Sequence, residues 1–467
     1  MTIAAVASRL QIFGNPIVYT DEEYYLLVGE RILHGAVPYI DLWDRKPAGL
    51  FLLFAAIREL GGDGVLAYQI VGTLFAIATS LLIVRIALEF SNRWGAIAAG
   101  VAYITWLDLG TAGGGQSPLF YNLPVCAAGL ITLRAVQGST KPFPNLTGAG
   151  ASAMLLMGLA MQIKYSAIFE GIFFGIVFLV LTWEKFGIAG FLSNAFLLIV
   201  IALLPTLAIL AAYATAGHGE AFIYANFISV FQRGNPSGLK LLRNLGATGL
   251  VLVPLILCGI GRPVRADVPA QAARRFVLLW LAASVGGFLV FGTYLQHYLL
   301  PVLVPAAAAA AVLFGRGPSR LPALLPIAVA FIAGQLLLAH DARHRGTARQ
   351  FTAITHFIDP DGCLFVYSGE PAFYRATKAC IPTRFAFPSQ LSRLGEATGI
   401  GTNPVTEITR IMRTHPATVI VSQPYSDEDM AARQVTLDAL NKNYVRVLHT
   451  RLGSNGVDLF RLRPDEP

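Results

Sequence analysis

Ten apolar runs follow one another through the first 340 residues, at about 66–90, 95–110, 118–137, 148–163, 166–183, 187–213, 247–261, 276–293, 298–314 and 321–340. A hydrocarbon core of ~30 Å takes ~20 apolar residues to cross as a helix, and backbone polar groups in lipid must be satisfied within the segment. The runs therefore read as spanning α-helices. With 55% hydrophobic and only 13% charged residues, and a mean hydropathy of +0.59, the chain belongs to the polytopic α-helical membrane class. One helix over 148–183 would measure about 54 Å at ~1.5 Å per residue, more than the core can hold. A break is therefore expected at Gln162-Ile163-Lys164, which brings Lys164 to a membrane face.

Orientation follows from the loop cations. Alternate loops on one side carry eleven, from Arg85 through Lys141 and Lys185 to Arg320, against Lys164, Arg233, Lys240 and Arg243 on the other. The rich side is inside, so the net charge of +8 is an anchor pattern. No basic run is interleaved with aromatics, and a nucleic-acid partner is not expected. From about 341 the apolar runs shrink to strand length at 363–367, 417–422, 444–448 and 457–462, alternating with helical patterns at 345–357, 404–414 and 427–441. This reads as a small α/β domain over 341–467, on the outer face if the spans before it are even in number. Residues 3–13 are too short and interrupted to span, and lack the charged start and cleavage site of a signal peptide. Two readings follow: a chain that starts outside, or, as favoured here, a first helix upstream of the given start.

The chemistry concentrates in residues 20–47, where Asp21, Glu22, Glu23, Glu30, Asp41 and Asp44 lie with Arg31, Arg45, Lys46 and His34. In so oily a chain, ionisable groups at this density line a wet cavity or the membrane surface. Thr20 or Asp21 can cap a helix running to Leu33; alternatively, Asp21 is a general base that takes a proton from an acceptor hydroxyl, with Glu22 as its companion. Lys46 sits at headgroup height, suited to a lipid phosphate or to ordinary interfacial snorkelling. Tyr39 and Trp43 fit an interfacial aromatic belt, or stacking on a sugar. Lys164 is open between a carrier-phosphate ligand and an anchor. Arg233, on an aromatic-striped outer loop, is open between phosphate contact and a solvated face. Asp108 is either functional or a span-capping acid. Cys126 and Cys258 read as apolar core residues, whereas Cys363 and Cys380 in the outer domain are a disulfide candidate.

Three motifs in order resemble the GT-C superfamily, in the branch of dolichyl-phosphate-mannose protein mannosyltransferases and lipid A aminoarabinose transferases. They are Asp21-Glu22 followed by Gly35-x-x-Pro38-Tyr39-x-Asp41 and Lys46-Pro47-x-Gly49, then Gly158-Leu-Ala-Met-Gln-Ile-Lys164, then His297-Tyr298-Leu-Leu-Pro301. The resemblance implies a GT-C membrane domain over 1–340 and a glycosyltransferase that uses a polyprenyl-phosphate-linked sugar with inversion. Asp21 would be the base and Glu22 its companion. Lys46, Lys164, Arg233 and His297 would meet the carrier phosphate, and Tyr24, Tyr39, Asp41, Asp44, Asp108 and Tyr298 the sugar or acceptor. The acceptor would be a glycan, lipid or protein at the periplasmic side of a bacterial inner membrane. One departure stands out: Gln116-Ser117-Pro118 occupies the second outer loop, where such proteins often carry a carboxylate before the Pro. With Asp21, Glu22 and Asp108 the available donors, no tightly bound metal is expected, and a divalent cation is the less favoured reading. A transporter or flippase of lipid-linked sugars is the alternative. It would show ionisable groups at mid-span and paired broken helices, whereas these charges gather at one face.

Overall fold

The computed structural model describes residues 1–138, 145–234, 237–265, 267–316 and 321–464; Lys141 and Arg320 of the cation pattern lie outside the described residues. Every apolar run is helical. Seven of the described helices are long and apolar enough to cross a membrane: Val65–Ala87, Ser117–Gly138, Tyr165–Thr215, Gly238–Cys258, Val268–Phe291, Gln296–Phe314 and Ala323–Thr355. Arg93–Leu109 and Leu146–Met161 are shorter. The break before Lys164 is present: the helix stops at Met161, Lys164 is extended (φ −158°, ψ 128°), and a 3₁₀ turn follows at Tyr165–Ala167. The next helical stretch, Ile168–Thr215, holds Gly187 at φ 63°, ψ −159°. Two helices meet there, since one of this length would reach roughly 72 Å. That is the pair expected from 166–183 and 187–213.

The chain forms two compact units. The first, the membrane unit, comprises Met1–Gln11, Gln69–Ile209 and Ser237–Leu338. At its core is the helix Leu300–Phe314, in which Ala306 to Ala311 are all fully buried. A helix apolar all round belongs in an interior, and its small side chains let neighbouring backbones come close. A Cβ on Gly95 would lie 2.5 Å from the Ala311 carbonyl oxygen, and Ser91 Oγ donates to that oxygen at 2.7 Å.

The second unit comprises Ile12–Tyr68, Leu210–Pro236 and Ala339–Pro467. Its sheet has the order β1-β2-β4-β3, with β1 Leu364–Val366, β2 Thr418–Ser422, β3 Tyr444–Leu452 and β4 Asn455–Leu462. These are the four strands expected from the sequence. β1 and β2 pair in parallel and the other pairs are antiparallel. All five residues of β2 are buried, as the continuous apolar run of a central strand demands. Cys363 and Cys380 are bonded to one another. The hydrophobic core against this sheet takes in Phe365, Tyr367, Phe385, Ile408, Val419 and also Trp43 from the first polar loop.

Candidate active site

Asp21, Glu22 and Glu23 occupy the first turn of the helix Thr20–Leu33, whose N-cap is Tyr19 and has no side-chain cap. The acids are therefore not caps; they stand at the positive end of the helix dipole, and burial pushes the Glu23 carboxyl up to about 7 against Arg375 and Tyr68. Glu22 and Glu23 are fully buried, while Asp21 keeps partial exposure. This helix packs hard on Ala48–Arg58. A Cβ on Gly29 would fall 2.6 Å from Ala55 N, so only glycine permits the approach.

The chain then reverses. Gly35 takes φ 89°, and Ala36 N donates to Arg31 O at 3.0 Å, ending the helix on a left-handed glycine. Asp41 accepts from Val37 N at 2.7 Å and closes the next turn. Tyr39 holds a positive φ of 70° that a tyrosine rarely adopts, secured by its N–H to Leu42 O at 2.7 Å and its hydroxyl to Lys46 O at 2.8 Å. Its ring lies against Phe51, Tyr213 and Phe222. The Tyr24 hydroxyl donates to Trp43 O at 2.8 Å. Tyr39 and Trp43 are buried in protein, Trp43 at 3% exposure, instead of forming a surface belt. These bonds make Tyr24, Tyr39 and Asp41 part of the loop's own frame.

What this frame presents is Asp21, Tyr25, Asp44 and Lys46. The Tyr25 hydroxyl donates to Asp21 Oδ2 at 3.4 Å, and Lys46 Nζ lies 5.4 Å from the Tyr25 ring centroid. Asp44 accepts from Arg45 N at 2.5 Å. Burial pushes its carboxyl up and Asp21 adds to this, against Lys46 and Arg45. A base candidate, an aromatic ring and a cation thus share one loop.

Residues from the C-terminal part surround it. Arg345 Nη1 donates to Thr20 Oγ1 at 3.3 Å. The Glu370 carboxyl is pushed up by burial against Arg345, its hydrogen bond with Thr20, and Arg393; Asp21 raises it further. Glu23 pairs with Arg375 at 3.1 Å. Glu396 ion-pairs with both Arg45 and Arg233, which places Arg233 in a salt bridge within this unit. Burial alone would raise the Glu396 carboxyl, but Arg233 and Arg45 hold it below the usual range.

The other candidates belong to the membrane unit. Lys164 is 7% exposed, with Nζ 4.1 Å from the Tyr298 ring centroid, and the His297 and Tyr298 rings are 4.4 Å apart. These three come together beside a cleft lined by Ser166, Glu170, Ser284, Phe291 and Tyr298. Asp108 is buried, close enough to Arg9 for the two charges to interact. Among the described residues no three His, Cys, Asp or Glu converge as a metal site.

No family model matches the chain. It is 28% identical over 232 residues to the dolichol phosphate-mannose mannosyltransferase of Haloferax volcanii, covering 46% of this chain and 48% of that one. The chain thus spans about half the length of the curated relative it matches. The crystal structure of ArnT from Cupriavidus metallidurans bound to undecaprenyl phosphate superposes with a TM-score of 0.64 at 14% identity, over 98% of this chain and 96% of that one. Its apo state gives the same values. This is the GT-C fold.

Within the GT-C fold of this chain, sequence reasoning passed over Tyr25, Glu23, Arg375, Glu370 and Glu396. Tyr25 carried a usable signal, because residues i and i+4 share a helix face and Asp21 is four residues back. The other four carry none, since partners such as Arg375 for Glu23 and Arg45 for Glu396 lie 352 and 351 residues away in the chain.

Proposed function

We propose that the protein is an inverting glycosyltransferase that moves a sugar from a polyprenyl-phosphate carrier to a hydroxyl of a cell-envelope glycan, lipid or protein. The observation that carries this reading is the first polar loop, where half-exposed Asp21, held by Tyr25, shares a frame with Lys46. Asp21 takes the proton of the acceptor hydroxyl as its oxygen bonds to the anomeric carbon. The bond from that carbon to the carrier phosphate breaks on the opposite face, and the electron pair leaves with the phosphate. Lys46 meets the charge that develops there. Buried Glu22 backs Asp21, and Asp44 faces the same field as a sugar or acceptor contact. Lys164, His297 and Tyr298 are a second cation-and-donor cluster for the carrier or its sugar.

The donor class is supported by what the related proteins handle: the Haloferax relative is named for dolichol phosphate-mannose, and the ArnT structure holds undecaprenyl phosphate. Both lipids are polyprenyl phosphates. Loop cations and the Cys363–Cys380 bond support an outer, periplasmic face of a bacterial inner membrane for the first loop and the C-terminal domain.

The test is sugar transfer in membranes holding wild-type or Asp21→Asn protein at matched expression, with mixed polyprenyl-phosphate sugars and native envelope acceptors. Loss by a factor of about 10² or more is expected for removal of a general base. Unchanged transfer would remove Asp21 from that role, and no transfer by either protein would favour a flippase.

A further inference from the structure

The first polar loop has two arms, and each is fastened to the C-terminal domain by buried bonds. On the helix arm, Glu23 is fully buried and Arg375, on the helix Ala372–Thr377, is 7% exposed. Arg375 Nη2 meets Glu23 Oε2 at 3.1 Å, Arg375 Nη1 donates to Asp63 O at 2.6 Å, and the Tyr68 hydroxyl donates to Glu23 Oε1 at 3.2 Å. Lower on the same arm, Arg31 Nη2 donates to Ala379 O at 3.1 Å. On the other arm, Trp43 N donates to Arg384 O at 2.8 Å, and Gln390 Nε2 donates to Trp43 O at 2.9 Å. The Trp43 side chain lies in the domain's hydrophobic core.

Asp21 stands two residues before Glu23, and Lys46 three residues after Trp43. Neither fastening touches the reacting groups, yet each fixes the backbone that carries one of them. A misplacement of ~1 Å between groups that must act together can cost 10²-fold in rate. A fully buried ion pair contributes little net stability over an apolar pair of the same size, so geometric specificity is the role to test.

We infer that the C-terminal domain is a positioning element for the first-loop site: Arg375, acting through Glu23, holds the helix that carries Asp21, while Gln390 and the Trp43 core hold the segment that carries Lys46. The inference rests on the roles proposed above for Asp21 and Lys46, but the fastening itself is measurable without them.

The experiment uses the full chain in lipid nanodiscs, with hydrogen exchange and transfer kinetics measured on wild type, Arg375→Lys, Arg375→Gln and the double variant Glu23→Gln/Arg375→Gln. The double variant leaves no unpaired buried charge, so its sheet is expected to stay folded. In that variant, amides of residues 20–33 should exchange at least tenfold faster while β2 and β4 keep their protection. Its kcat should fall tenfold or more with the donor KM within about twofold, and Arg375→Lys should lie between it and wild type. Unchanged exchange over 20–33, or equal loss of protection in β2 and β4, would overturn the inference, as would unchanged kcat. If the wild type transfers no sugar, the transferase reading falls, and the exchange comparison still decides whether Arg375 holds the helix.

Discussion

In the helix Leu300–Phe314, the residues at the centre of the membrane unit are six successive alanines with no surface exposed. In the other unit, the buried residues include Glu23, Arg375 and Glu428, each engaged by a named partner. Both sets of residues are buried, but the two interiors are specified differently. The alanine helix is held by close approach: Ala309 Cβ would lie only 3.0 Å from a Cβ built on Gly259. The sheet unit sets, beside its hydrophobic core, charges that tolerate burial only in pairs. Size is the constraint in the first and partnership in the second, so each should fail to a different kind of substitution.

The largest effect should come from breaking a pair. Arg433 Nη1 reaches both Glu428 carboxylate oxygens, at 2.9 and 3.0 Å, and its Nη2 donates to Ser422 O at 3.1 Å, at the end of β2. Arg433→Met leaves the Glu428 charge buried and unmatched, at a cost of about 3–5 kcal/mol. Amides of β2 should exchange about 10² to 10³-fold faster, each ~1.4 kcal/mol being tenfold. Adding Glu428→Gln should recover most of the loss. If the single and double variants were equally unstable, side-chain packing and not charge pairing would hold this corner.

An intermediate effect is expected in the membrane unit. Ala309→Leu adds a branched side chain where no surface is open, and overpacking costs about 1–3 kcal/mol. The folded fraction that survives heating in detergent should fall, whereas Ala309→Gly should be milder. Equal tolerance of Leu and Gly would mean that the alanine run is not a close-packing device.

How far the sequence went follows the same division. Size and period are local, so the membrane helices, the break before Lys164, the four strands and three of the helices of the C-terminal domain could be read from the chain, whereas the short helix Ala372–Thr377 that carries Arg375 could not. Partnership is not local. Arg45 and Arg233 look alike as loop cations, and nothing near them in sequence points to Glu396. Trp43 carries the composition of a membrane belt, yet its ring belongs to a core built from residues 365–444. In the first loop, the concentration of acids was visible, and so was the helix they begin. That Asp21 would be the partly exposed one, with Glu22 and Glu23 buried, depends on what the helix packs against.

The smallest effect sharpens the comparison from within the sheet unit, because it concerns a pair of similar chemistry at the surface. Arg410 is 52% exposed and donates to both oxygens of Glu407, three residues earlier on the helix Pro404–Arg413. Burial would raise the Glu407 carboxyl, but the bonds from Arg410 and from Thr383 outweigh it and hold the group below its ordinary value. A carboxyl depressed in the folded state contributes stability above its unfolded pKa, and that contribution is lost as pH falls through the folded value. Arg410→Ala should therefore cost under about 1 kcal/mol at pH 7, discounted for solvent screening. The cost should vanish once the pH is low enough to protonate Glu407, which the bonds from Arg410 and Thr383 delay. High salt should erase it as well, while leaving the Arg433→Met deficit in place, since screening reaches the exposed pair and not the buried one. The measurement is β2 exchange for both variants at low and high salt. Equal salt sensitivity would show that Glu428 and Arg433 are as wet as Glu407 and Arg410, and the contrast between a paired interior and a merely charged surface would be lost.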